Sequence, residues 1–147
     1  MSRTLLLALA ALGIIATGCG GRNNLSKASN AVLDAMESSR VRAVSTRQPC
    51  TLIIREITLD GTCGVRREFD GAFVQTPGHK LPLTLTYNAR GTMRVTNSVG
   101  VLLPPDNLII HISSLHDTRE ASACITASNL GLVSVGAFVG SECKAID

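Results

Sequence analysis

The sequence predicts an α+β fold, with one long N-terminal helix followed by a head of two antiparallel β-sheets. Three observations lead there. An apolar run opens the chain, from Leu5 to Ala16. Apolar residues then recur at helical spacing between Leu25 and Ser39. From Thr51 onward, β-branched segments alternate with Gly and Pro punctuation. A helix followed by a run of short strands segregates its layers, as α+β folds do.

Composition sets the core and narrows the partners. The chain has 147 residues, 45% of them hydrophobic but only 3% aromatic, with no Trp and one Tyr. One domain can form at this size, and its core must be built from Val, Ile, Leu and Ala. A net charge of +3 is too small to argue for nucleic acid on electrostatic grounds.

Residues 1–23 are an anchor or signal segment. Arg3 gives a positive start, and the apolar run has the length of a signal-peptide core, too short for an ordinary spanning helix. Leu5, Leu6, Leu7, Leu9, Leu12, Ile14 and Ile15 carry the membrane-anchor role. In one reading Ala16-Thr17-Gly18-Cys19 resembles a bacterial lipobox. Cys19 is then the possible lipidation site, and each buried CH₂ of its acyl chains contributes about 0.8 kcal/mol. In a second reading the apolar run stays as a permanent helix. A plain cleavable signal peptide is the third. Each reading puts the head in an oxidising envelope compartment.

Residues 24–48 form the amphipathic helix. Leu25, Ala28, Val32, Ala35 and Met36 line one face at spacings of three and four, and this stripe is the candidate assembly surface. Ser26, Lys27, Asn30, Asp34 and Glu37 occupy the other face. Asn24 or Ser26 is placed to cap the start. The helix runs from about Asn24 to Ala43, roughly 30 Å. Pro49 forces the break near Thr46 to Gln48.

Residues 49–147 form the β-rich head. Strands are expected over Thr51–Leu59, Thr62–Phe69, Ala72–Gln75, Leu83–Asn88, Thr92–Thr96 and Leu108–Ser113, with more between Ala123 and Val139. Asp60-Gly61 reads as a two-residue hairpin turn, because Gly tolerates positive φ.

Five cysteines form no C-x-x-C pair, which argues against zinc or a thioredoxin-like site. Disulfides fit an exported chain better. Cys50, Cys63, Cys124 and Cys143 allow three pairings, and Cys19 is left over. Cys124–Cys143 is favoured because it would pin the C-terminal segment to a sheet. Cys50–Cys63 then remains. With a tight Asp60-Gly61 turn those two would lie about 27 Å apart along the hairpin, so this bridge requires a wider loop.

The order of several short segments resembles minor pseudopilins of the GspH/FimT kind. Ser29 to Leu52 has their amphipathic helix, small-plus-basic exit, Gln-Pro and Thr-Leu strand opening. Asp60-Gly61-Thr62-Cys63 resembles their Asp-Gly turn followed by cysteine. Asp70-Gly71-Ala72-Phe73-Val74 and Leu83 to Gly91 resemble two of their strands. Thr4 to Ala16 has the texture of the pilin N-terminal helix, without the Gly-Phe cleavage site or the Glu at the fifth mature position. The resemblance covers roughly residues 25 to 136 and implies a pilin-like fold. It also implies a structural, non-enzymatic subunit of a type II secretion or type IV pilus-like filament. Its partners would be other pilin or pseudopilin subunits and the membrane. It would be held at the inner membrane with the head in the periplasm. The alternative is an envelope lipoprotein anchored through Cys19, with a β-rich binding head.

No catalytic, cofactor or metal site is expected. His111 and His116, five apart, would face opposite ways in a strand. His79 follows the turn signal Pro77-Gly78, and all three histidines read as surface residues. No Gly-x-Ser-x-Gly elbow or phosphate loop occurs, so no cofactor or small-molecule substrate is implied. Arg66-Arg67 reads as a solvated strand face. Some FimT-like relatives bind DNA through Gly-Arg-x-Arg. The matching segment here, Asn129-Leu130-Gly131-Leu132, has neither arginine, which disfavours a nucleic-acid partner.

Overall fold

The computed structural model describes residues 20–103, 108–116 and 122–146, with side chains described from residue 24 onward. The anchor candidates Leu5, Leu6, Leu7, Leu9, Leu12, Ile14 and Ile15, and Cys19, lie outside the described residues.

The helix α1 spans Gly20–Thr46, about 40 Å at 1.5 Å per residue. It begins earlier than the sequence suggests, so Asn24 and Ser26 lie inside it and cap nothing. Its end falls near where Pro49 requires. Arg47 takes φ 55°, the left-handed geometry that closes many helices. Leu25, Ala28, Val32, Ala35, Met36, Ser39 and Ala43 are buried. Four of these are Ala or Ser, and small side chains let the helix backbone approach the sheets closely.

Ten strands follow among the described residues: β1 (Cys50–Ile54), β2 (Thr58–Gly61), β3 (Arg66–Glu68), β4 (Ala72–Gln75), β5 (Leu83–Tyr87), β6 (Met93–Thr96), β7 (Leu108–Ser114), β8 (Ala123–Ala127), β9 (Val133–Val139) and β10 (Glu142–Ala145). They form two five-stranded sheets, β3-β2-β1-β5-β6 and β10-β9-β8-β7-β4. All neighbours are antiparallel, as the predicted fold class requires. The helix packs on strands of both sheets. Between the layers lies an aliphatic core of Val32, Leu52, Ile54, Leu59, Val74, Leu83, Leu85, Ile110, Ile112 and Ile125, with Tyr87 as its largest fully buried side chain.

The Asp60-Gly61 turn does not form. Both residues sit inside β2, opposite Ile53 and Leu52. The chain reverses earlier, at residues 55–57, and a second reversal at residues 62–65 creates β3 as a separate strand. Burial decides this. The observed register sets Leu59 beside Ile54 on the core face, and a one-residue slip would turn one of them outward. Asp60 points away from the core and pairs with Arg55 and Arg66. The same register continues outward to bring Cys63 opposite Cys50. They are bonded, with Cα atoms 5.7 Å apart. The bridge forms because the turn moved, not because a turn at Asp60-Gly61 widened.

β10 carries no strand pattern in the sequence. Its Cys143 is bonded to Cys124 on β8, with Cα atoms 5.8 Å apart, although β9 lies between them. In a flat sheet, strands two apart are separated by roughly 10 Å. The sheet must therefore curl sharply, and Gly136 on β9 permits this. A Cβ there would collide with the Lys144 carbonyl oxygen and stand 3.1 Å from the Cys143 sulfur.

Candidate interaction surface

Three hairpin turns share one build: Asn88 to Gly91, Asn97 to Gly100 and Ser128 to Gly131. In each, the glycine N–H donates to the carbonyl of the first turn residue at 2.9–3.0 Å. The first residue's N–H donates to the carbonyl just past the glycine. The glycines hold φ of 75–79°, which an L side chain adopts only at a cost. Asn88 Oδ1 accepts from the N–H groups of Arg90 and Thr92, and Asn97 Oδ1 accepts from those of Val99 and Val101.

The first and third turns belong to different sheets, and they meet beside the helix at Arg40. Arg40 Nε donates to the Gly91 carbonyl at 3.3 Å. Met93 N–H donates to the Asn129 carbonyl at 2.8 Å, tying one sheet to the other. Gly131 lies against the Gly91 carbonyl and the Arg40 side chain, with no room for a Cβ.

This junction carries an exposed apolar patch. Val41 is 64% exposed, Val44 46%, Leu130 59% and Leu132 58%. Glu37, Arg40, Val41, Gly131, Leu132 and Val133 line a shallow cleft of about 200 Å³ there. Single exposed apolar residues are ordinary, but Val41 and Leu132 share one cleft with the charged Glu37 and Arg40, and apolar surface rimmed by polar groups is a feature of contact surfaces. In the sequence, Leu130-Gly131-Leu132 stands out only for lacking arginines. The available signal was two leucines flanking a turn glycine, where polar residues are usual.

Beneath the patch, burial pushes the Tyr87 phenol well above its usual range, against a smaller opposing effect of the Arg40 charge. Its hydroxyl has no hydrogen-bond partner among the described residues, and neither does that of Ser39. On the far face of the second sheet, His111 stacks on Phe138 with ring centroids 4.1 Å apart. It is half-buried rather than a surface residue as expected, and desolvation lowers its pKa. Arg66 and Arg67 are exposed on β3. Among the described residues no group of three or more His, Cys, Asp or Glu side chains could hold a metal ion.

The stripe expected to carry assembly is occupied within the chain itself. Leu25, Ala28, Val32, Ala35 and Met36 are each at most 7% exposed, packed in the helix–sheet core. The helix face left open runs through Ser26, Lys27, Asn30, Asp34, Glu37, Val41 and Val44. Among the described residues no helix is long and apolar enough to cross a membrane.

No protein-family model matches the chain, and no curated protein matches it. Among solved structures, two crystal forms of the type IV minor pilin FimU of Pseudomonas aeruginosa are similar. One aligns with a TM-score of 0.60 at 16% identity, covering 82% of this chain and 97% of that one. The other gives 0.55 at 14% identity, covering 82% and 99%. At such identities the likeness is one of fold: the helix and two-sheet head are arranged as in a minor pilin.

Proposed function

We propose that the chain is a structural subunit of the minor pilin or pseudopilin kind, of the GspH/FimT type that its sequence resembles. The observation that carries this reading is the fold match, which extends over 97% of the FimU chain. Helix and head correspond together, so the likeness is not that of a common sandwich. The proposed role is positional rather than enzymatic. The apolar run from Leu5 to Ile15 anchors the subunit in the inner membrane, and the head projects into the periplasm. Two disulfides suit that oxidising compartment.

Assembly in this reading uses the open face of α1 and the adjoining patch, because the inner stripe is already covered. Burying Val41, Val44, Leu130 and Leu132 against a like subunit contributes about 25 cal/mol per Å² of apolar area. Whether the filament serves secretion or a pilus is a question of partners. Cysteine crosslinking from Val41→Cys in cells tests the reading. Adducts to pilin-like subunits support it, and adducts only to unrelated envelope proteins would oppose it. The lipobox at Ala16 to Cys19 supplies the competing outcome, a lipoprotein held through Cys19.

A further inference from the structure

The C-terminal strand β10 adds no side chain to the hydrophobic core. Glu142, Lys144 and Ala145 are exposed and Cys143 is half-buried. Four register pairs with β9 hold it, together with the bond to Cys124, which is fully buried on β8. A four-residue edge strand lacking core contacts has low local stability. The other disulfide is different. Cys50 and Cys63 sit at facing positions of a hairpin whose Leu52, Ile54 and Leu59 are all in the core. That hairpin keeps its register by burial.

We propose that Cys124–Cys143 is a redox latch on β10. A dithiol reductant opens the bond, and β10 leaves the sheet while α1 and the other strands keep their places. The exchange balances. One thiolate of the reductant attacks the Cys143 sulfur, the less buried of the two, and forms a mixed disulfide. Cys124 departs as a thiolate and takes a proton from water. The reductant's second thiol then closes its own disulfide and releases Cys143 as a thiol, so two electrons pass to the protein. With β10 gone, the seven-residue strand β9 becomes the edge of its sheet.

Hydrogen exchange on the full chain, read by mass spectrometry, tests this. Three samples are compared: oxidised protein, protein reduced with dithiothreitol and alkylated, and the C124S/C143S double variant, which retains Cys50–Cys63. The expected result is exchange at least about tenfold faster over residues 140–146 in both treated samples, with β1, β5 and β7 unchanged. Retained protection of β10 after the bond is opened would overturn the proposal. So would loss of protection throughout both sheets in the reduced wild-type sample. The reduced wild-type sample decides the matter if the double variant does not fold.

Discussion

Gly131 lies so close beneath the carbonyl of Gly91 that a methyl group at its Cα would collide with that oxygen. Two turns from two sheets are thereby locked together against Arg40. The apolar patch rests on this lock, since Leu130 and Leu132 flank one of the glycines.

Gly131→Ala should therefore cost more than its backbone conformation alone demands. Gly78 provides the comparison, with φ 78° and nothing within 4 Å of a built Cβ. Gly78→Ala is expected to cost about 1 kcal/mol. Gly131→Ala is expected to cost about 2–4 kcal/mol, from strain and collision together. Thermal melts of the two variants check the order. Equal losses would show that the contact does not constrain the turns.

Tyr87→Phe should be neutral or stabilising by up to about 1 kcal/mol, because it removes a buried hydroxyl without a partner. Tyr87→Ala should cost about 3–5 kcal/mol through the cavity it leaves. The phenol's pKa is raised in the folded state, so its contribution is present below about pH 10. It is lost as the pH rises, when the unfolded chain ionises more readily. Denaturant titrations between pH 8 and pH 11 should show Tyr87→Phe losing less stability than the parent. Parallel curves would contradict the burial argument.

His111 has the opposite sign. Its folded pKa is lowered by desolvation against Phe138, so its contribution is present above about pH 6.5. It is lost as the pH falls, because the unfolded chain takes up the proton first. Replacing it with Phe should flatten the stability profile between about pH 7 and pH 5. An unchanged slope would assign that loss to other groups.

The two faces of α1 should respond differently. Met36→Ala opens the core and should cost about 2–4 kcal/mol. Leu130→Lys with Leu132→Lys, added to the Val41→Cys crosslinking variant, should change stability by less than about 1 kcal/mol, since both side chains are largely exposed. The paired lysines should nonetheless abolish crosslinking to neighbouring subunits. Normal crosslinking in that variant would remove the patch from the assembly surface.

Much of the fold is legible in the sequence because burial follows simple periods. The stripe from Leu25 to Met36 and the alternation in Leu83 to Tyr87 each mark one buried face. The Asp60-Gly61 turn misleads because local turn chemistry competes with register. Pairing Ile54 with Leu59 buries two large side chains, and the Asp-Gly preference yields to that. β10 is hidden because its exposed residues carry no hydrophobic pattern; it is placed by Gly136 and a covalent bond. The patch is hidden because it joins residues some ninety positions apart. Helical periodicity finds Val41 only as an outer-face residue, and only the packing of Gly91 on Gly131 brings Leu132 to the same cleft.

The mass of the mature N-terminus, measured on protein extracted from membranes, tests the central claim most directly. A pilin-like subunit should keep the run from Leu5 to Ile15 behind an N-methylated first residue. A chain beginning at Cys19 with a diacylglyceryl group on its sulfur would contradict the account, leaving a tethered head with no helical anchor to share with its neighbours.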